Sequence, residues 1–175
     1  THITPDGKTL VYFQESTDTD DDLMAIDLTE GAKPAALLKT PFSERWAIIS
    51  PDGEWMAYES DESGEGEVYV RPFGRTGGKW QISTEGGRSP LWSPDGKELF
   101  YQADSGLMAV PVEAEGAGFR AGAPSRLCDL PWGGFVTRPF DITPDGARFV
   151  ALRRETPDHE IDRSHVQFVF HWFDE

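Results

Sequence analysis

The sequence predicts an all-β protein made of β-propeller blades of four antiparallel strands, with about four blades present. Three observations lead to this prediction. A four-residue turn motif occurs four times, apolar runs flank the copies, and no segment shows the sustained 3.6-residue apolar period of an amphipathic helix. Because a closed ring usually needs more blades, we expect a partial propeller.

The turn motif has the pattern Ser/Thr-Pro-Asp-Gly, and its prolines lie 46, 43 and 50 positions apart, a period typical of propeller blades. Proline fixes φ at the second position of a type I turn, aspartate suits the third, and glycine supplies the left-handed residue that ends it. We therefore interpret the motif as a structural turn that closes one hairpin in each blade. Its residues are Pro5, Asp6, Gly7, Pro51, Asp52, Gly53, Pro94, Asp95, Gly96, Pro144, Asp145 and Gly146.

Further apolar runs predict the outer strands of each blade. A third strand is expected at 23–28, 68–73, 107–112 and 166–172, and a fourth at 35–38, 80–83 and 126–130. The whole chain, 1–175, then forms one domain. Its blades cover approximately 1–43, 44–88, 89–136 and 137–175.

Charge and cysteine content exclude several classes of function. The formal net charge is −15, and such a surface repels phosphate backbones, so we expect no nucleic-acid binding. No apolar stretch is long enough to span a bilayer, so no membrane contact is expected from this chain itself. A single cysteine, Cys128, excludes an internal disulfide framework and a cysteine-rich metal site.

Two segments are candidate binding sites. Asp18, Asp20 and Asp22 alternate along an acidic run, and carboxylate oxygens suit Ca²⁺, although an acidic turn between two strands explains the run equally well. No other cofactor is expected. Trp132, in the glycine-containing segment 130–135, is a candidate ligand-binding aromatic, with loop or core packing as the alternative.

The turn motif followed by an aromatic-rich strand resembles the TolB-type, or WD-repeat-like, propeller family. Segments 40–44, 63–83 and 96–101 resemble, more narrowly, the C-terminal propeller of bacterial membrane-bound serine/threonine protein kinases. The ending 170–175 is similar to the terminal strand of such proteins, with His171 where Asn is more usual. The resemblance implies an extracytoplasmic module, periplasmic or anchored to the membrane through an upstream segment, with the kinase domain in the cytoplasm.

These observations predict a non-catalytic propeller that binds a protein partner or a small ligand as the sensory part of a receptor-like kinase. The alternatives are the substrate-gating propeller of a prolyl-oligopeptidase-like hydrolase and a free periplasmic TolB-like scaffold. The sequence contains no G-x-S-x-G elbow and no H-R-D or D-F-G motif, so we expect no enzyme activity from this chain. An exposed blade face is expected, or one that is covered in a homo-oligomer.

Overall fold

A computed structural model describes residues 1–116, 118–129 and 140–151, apart from the side chain of Glu115. In this part of the chain every regular element is a strand. The strands of blade 1 are β1 (His2–Ile3), β2 (Thr9–Ser16), β3 (Asp20–Asp27) and β4 (Ala35–Leu38), paired in that order. Blade 2 follows the same order with β5 (Glu44–Ile49), β6 (Trp55–Ser60), β7 (Glu67–Pro72) and β8 (Trp80–Gln81).

Blade 3 departs from this plan at its outer edge. It contains β9 (Arg88–Trp92), β10 (Glu98–Ala103) and the long β11 (Gly106–Glu115). Two short strands share the fourth position, because β12 (Gly118–Ala121) pairs with the second half of β11 and β13 (Ser125–Cys128) with its first half. In blade 4 the structure describes the inner hairpin, β14 (Phe140–Ile142) and β15 (Phe149–Ala151).

The prediction of an all-β fold made of four-stranded antiparallel blades is confirmed, since each pair of neighbouring strands is antiparallel. The strand β12 was not predicted, because 118–121 offers a single large apolar residue, Phe119. The strand expected at 166–172 lies outside the described residues.

Both faces of blade 2 are buried, and its sequence shows how this is achieved. Ala47, Ile49 and Met56 cluster with residues of blade 1, whereas Ile48 and Ala57 cluster with residues of blade 3. Successive side chains of a strand point to opposite faces, so two apolar faces require an unbroken apolar run. The unbroken apolar runs of the sequence therefore belong to strands of a blade that packs between two neighbouring blades.

Candidate binding site at the charged end of the blades

Each blade has two ends, and the turn motifs lie at one of them, which we call the turn end. In the first motif the hydroxyl of Thr4 donates to Asp6 (2.6 Å) and accepts a hydrogen bond from the backbone N–H of Thr9 (3.0 Å). Asp6 also accepts from the backbone of Lys8 (3.1 Å). The other three motifs repeat these bonds. The glycines that end the four turns have φ between 70° and 78°.

Hydrogen bonding within three of the turns favours the ionised form of the aspartate. The hydroxyl bond, followed by the backbone bond, lowers the pKa of Asp6, Asp95 and Asp145 below the usual range. All three side chains accept hydrogen bonds mainly within their own turns. The hydroxyl that opens each motif donates to the aspartate and accepts from a backbone N–H at or just before the start of the next strand. This geometry agrees with the structural interpretation of the motif.

Neighbouring turns enclose an open cleft between each pair of blades. The clefts have volumes of about 450 Å³ between blades 1 and 2, 680 Å³ between blades 2 and 3, and 410 Å³ between blades 3 and 4. The largest is lined by Trp55, Trp92 and Val112 together with the aspartates Asp52 and Asp95. The clefts thus repeat with the blades, and two turn motifs contribute to each.

The opposite end, which we call the charged end, carries the larger imbalance of charge. Strands β3, β5 and β7 begin there, and β2 and β6 end there. Its carboxylates are Glu15, Asp18, Asp20, Asp21, Asp22, Glu44, Glu59, Asp61, Glu62, Glu65, Glu67, Glu85, Asp104 and Asp129. Its cationic side chains are Lys39, Arg45, Lys79, Arg88 and Arg126.

Four of these carboxylates are buried, which requires compensating contacts. Arg45 donates through Nε to Asp21, and Lys39 lies 3.2 Å from Asp22. Asp22 also accepts a hydrogen bond from the hydroxyl of Thr19 (2.9 Å). The junction of blades 1 and 2 is therefore closed at this end by the ion pair Asp21–Arg45, while Asp22–Lys39 ties the segment after β4 to β3 within blade 1.

Glu44 is the least compensated of the buried carboxylates. One of its oxygens accepts a hydrogen bond from the hydroxyl of Thr40, while Oε2 has no hydrogen-bond partner among the described residues. Burial, and then the charge of Asp22, raises the pKa of Glu44 above its usual range. Glu67 in contrast accepts from the hydroxyl of Ser83 and from the backbone of Gly86, so both of its oxygens are bonded.

In blades 2 and 3 a β-bulge in the inner strand places one arginine at this end. In blades 2 and 3, two residues of the inner strand oppose one on its neighbour, just after Arg45 and Arg88. The bulged residues Trp46 and Ser89 have φ of 54° and 52°, a left-handed conformation that is uncommon for residues other than glycine. Arg138 has the same sequence spacing from the fourth motif but lies outside the described residues.

Glu59 lies close to both Arg45 and Arg88. Burial raises the pKa of Glu59 above its usual range. A hydrogen bond from the backbone of Ser89 and the charges of Arg88 and Arg45 offset only part of this rise. Neither Glu44 nor the group of Glu59, Arg45 and Arg88 was predicted from the sequence. The available signal was an arginine six positions before the proline of the second, third and fourth turn motifs.

The candidate calcium ligands are not brought together. Asp18 accepts from Thr17, Asp20 lies 4.0 Å from Arg45, and Asp22 contacts Thr19 and Lys39. In residues 1–116, 118–129 and 140–151, no three acidic, histidine or cysteine side chains are grouped so as to hold a metal ion. Trp132 lies outside the described residues.

The structure is similar to known propellers. It matches TolB from Acinetobacter baumannii over 89% of this chain and 37% of that one, with a TM-score of 0.63 and 18% identity. The fold is that of a TolB-type propeller. It also matches a periplasmic gluconolactonase from Pseudomonas aeruginosa (TM-score 0.56, 17% identity, 87% and 49% covered). A third match is a protein described as a 6-phosphogluconolactonase from Bacteroides uniformis (TM-score 0.55, 22% identity, 85% and 45% covered).

These likenesses show the fold, and this chain spans less than half the length of each of those three chains. No family model matches the sequence, and no curated protein matches it either. Among the described residues no helix is long and apolar enough to cross a membrane.

The prediction that this chain is not an enzyme is wrong, because the same fold occurs in proteins named as gluconolactonases. The prediction was based on the absence of a nucleophile elbow and of kinase motifs. That absence excludes only the enzymes that depend on those motifs, and fold by itself does not decide function.

Proposed function

We propose that this TolB-type propeller is an extracytoplasmic scaffold that docks a basic segment of a partner protein at its charged end. The observation that carries the proposal is the excess of carboxylates over cationic side chains at that end. An acidic surface attracts basic partners over about 8 to 10 Å at physiological ionic strength and speeds their association.

The turn end is the less suitable docking surface on grounds of charge. Its carboxylates are Asp6, Asp27, Glu30, Asp52, Glu54, Asp95, Glu98, Glu113 and Asp145. Its cationic side chains are Lys8, Lys33, Arg75, Lys97, Arg120 and Arg148. The two sets are closer to balance, and all four turn aspartates already accept hydrogen bonds within their turns.

The resemblance in 40–44, 63–83 and 96–101 supports a finer proposal, in which the scaffold is the sensory propeller of a receptor-like serine/threonine kinase. The likeness to TolB supports a free periplasmic scaffold, and the gating propeller of a hydrolase is the third form. The gene distinguishes them. A kinase domain and one apolar span upstream of Thr1 indicate the first, a signal peptide the second, and an adjoining hydrolase domain the third.

The charged-end proposal is tested by calorimetric titration with a lysine-rich peptide, with a glutamate-rich peptide of equal length as the negative control. One variant neutralises four exposed carboxylates of the charged end: Asp18→Asn, Glu65→Gln, Glu85→Gln and Asp104→Asn. The matched control neutralises four exposed carboxylates of the turn end: Glu30→Gln, Glu54→Gln, Glu98→Gln and Glu113→Gln. Both changes lower the net negative charge equally.

We expect the charged-end variant to bind the lysine-rich peptide roughly tenfold more weakly, and the control variant to lose much less affinity. Equal losses in the two variants would mean that only overall charge matters, and would contradict a docking site at the charged end. Tight binding that is insensitive to salt would contradict it as well.

A further inference from the structure

The cleft between blades 2 and 3 at the turn end differs from the other two described clefts, although equivalent positions of the repeat line all three. The fourth residue after the motif proline is one such position. It is Thr9 in the cleft between blades 1 and 2, Trp55 in the cleft between blades 2 and 3, and Glu98 in the cleft between blades 3 and 4. A large apolar side chain therefore takes the place of a polar one in the middle cleft.

The opposite wall of this cleft comes from blade 3 and also differs from its counterparts. Trp92 lies two positions before the motif proline, where blade 4 has Ile142 in its own cleft. Val112 takes the place of Phe73, since the backbone N–H of each donates to the carbonyl of the residue after the motif glycine, at 2.8 Å in both blades. The side chain of Val112 fills less space than a phenyl ring, which agrees with a volume of about 680 Å³ against about 450 Å³ between blades 1 and 2.

The long strand β11 adds to this wall. It has ten residues, whereas its counterpart β7 has six, and the additional length brings Glu113 and Ala114 to the cleft. The β11–β12 hairpin is held in place by Phe119, whose ring lies 5.0 Å from that of Trp55 and 6.3 Å from that of Trp92. The result is a preformed concave site with an apolar floor, and its volume is within the range of about 300 to 1,000 Å³ that small-molecule sites occupy.

Asp52 is the carboxylate of this cleft that lacks a cation. Both of its hydrogen bonds, from the hydroxyl of Ser50 and from the backbone of Glu54, are accepted by Oδ1. In the first and third motifs a lysine follows the aspartate by two positions and pairs with it at 3.7 to 3.8 Å, but in the second motif this position holds Glu54. Among the described residues, Oδ2 of Asp52 therefore has neither a cationic partner nor a hydrogen-bond donor.

We propose that the cleft between blades 2 and 3 binds a small organic amine in its protonated form. The ammonium group lies at Oδ2 of Asp52, and the alkyl part packs on Trp55, Trp92 and Val112. A carboxylate beside an apolar surface attracts a cation more strongly than one in bulk water, because the effective dielectric constant is lower there. An anionic ligand is disfavoured, since Asp52 and Glu113 both line the cleft. The site needs one unpaired carboxylate and not a general excess of charge, so it is independent of the docking proposed at the charged end.

Three probes of equal chain length separate charge from apolar packing: n-hexylamine, 1-hexanol and hexanoate at neutral pH. The indole N–H signals of Trp55 and Trp92 in a two-dimensional NMR spectrum report on the cleft, and the signal of Trp46, which follows Arg45 at the charged end, is the internal control. We expect hexylamine to shift the first two signals saturably and to bind roughly tenfold more tightly than hexanol, with no binding of hexanoate. Equal affinities for the amine and the alcohol, or unchanged signals of Trp55 and Trp92, would overturn the proposal.

The first variant tests the carboxylate. Asp52→Asn removes the charge, while its Oδ1 can still accept the two hydrogen bonds of the turn. We expect this variant to bind hexylamine roughly tenfold more weakly and to bind hexanol as the wild type does. The matched control is Asp6→Asn, which removes the same charge from an equivalent turn that does not line this cleft. Equal losses in the two variants would assign the effect to overall charge and contradict a site at Asp52.

Asp52 also lines the cleft between blades 1 and 2, so a second pair of variants distinguishes the two clefts. Ala114→Lys adds a cation to the wall contributed by β11, and Thr9→Lys adds one to the cleft between blades 1 and 2. We expect the first to weaken hexylamine binding roughly tenfold and the second to leave it unchanged. The opposite pattern would place the amine between blades 1 and 2 and sink the proposal. Urea denaturation shows that each variant is folded before its affinity is compared.

Discussion

The junction between blades 1 and 2 and the junction between blades 2 and 3 use the same repeat but are held together differently. The first joins aliphatic residues and two tyrosines, and it is closed at the charged end by the pair Asp21–Arg45. The second is an aromatic cluster of Trp55, Trp80, Trp92 and Phe119. The comparison shows that the repeat sets the geometry of a junction, while side chains outside the motif set its strength.

The aromatic junction depends on the extra hairpin β11–β12 of blade 3. The ring of Phe119 lies 5.0 Å from that of Trp55 and 5.4 Å from that of Trp80, both of which belong to blade 2. Arg75 of blade 2 donates to the carbonyl of Gly116 (3.2 Å) and stacks over Trp55 at 5.1 Å. The hairpin therefore reaches back across the junction and adds contacts that the junction of blades 1 and 2 lacks among the described residues.

The largest expected effect comes from Trp55→Ala. Trp55 is 2% exposed and contacts two aromatic rings, Trp80 and Phe119, and the cation Arg75. The substitution is therefore expected to lower the free energy of unfolding by about 3 to 5 kcal/mol. The counterpart at the other junction is Trp46→Ala, which loses the edge contact of a half-buried ring with Phe13 and should cost about 1 to 2 kcal/mol. Urea denaturation measures both, and equal losses would remove the distinction between the junctions.

The second prediction concerns the ion pair of the first junction. Arg45→Met leaves the carboxylate of Asp21, which is 5% exposed, without its cation and should cost about 1 to 3 kcal/mol, since Arg45 itself is partly solvated. The control is Arg120→Met in blade 3, where the partner Glu113 is 81% exposed and 3.9 Å away. We expect the control to cost less than about 0.5 kcal/mol.

The salt dependence of unfolding adds an independent check on that pair. The difference between wild type and Arg45→Met should persist in 1 M NaCl if the Asp21 pair is buried, because buried charges are screened much less than exposed ones. A loss that disappears in salt would assign Arg45 to the solvated surface and contradict its role in closing the junction.

The sequence predicted what is encoded locally and missed what depends on distant partners. The four turns were predictable because each motif holds all the hydrogen-bonding groups of its turn. The sequence suggested that Asp21 and Asp22 belong to a solvated acidic turn. They lie instead in β3, where they are buried and are paired with Arg45 and Lys39 from later in the chain. Phe119 likewise gives no local sign that it packs on blade 2.

The third prediction uses the turns as an internal standard for the two junctions. Gly53 and Gly96 end equivalent turns with φ of 78° and 70°, and a Cβ at either position would meet no close atom. Gly53→Ala and Gly96→Ala should each cost about 1 to 2 kcal/mol, the strain of a left-handed alanine. Thermal and urea unfolding should show the same loss for both, and clearly different losses would mean that the junctions alter the turns themselves.

The smallest effect is expected from Glu44→Gln, and it has the opposite sign. Burial and the charge of Asp22 raise the pKa of Glu44 in the folded protein above the usual value of 4.5, so the folded state holds its proton to a higher pH than the unfolded chain does. The contribution of Glu44 to stability is therefore full below about pH 4.5 and falls as pH rises through the folded pKa.

Glutamine stays neutral and still offers an oxygen to the hydroxyl of Thr40, so the variant avoids this loss. At pH 7 it should be more stable than the wild type by about 1 kcal/mol, and at pH 4 the two should unfold at the same denaturant concentration. Glu67→Gln is the matched control, since both oxygens of Glu67 are already bonded and its replacement should be destabilising at pH 7. If Glu44→Gln were instead destabilising at pH 7, the carboxylate would be contributing to the first junction as an anion, and that junction would depend on charge beyond the Asp21–Arg45 pair.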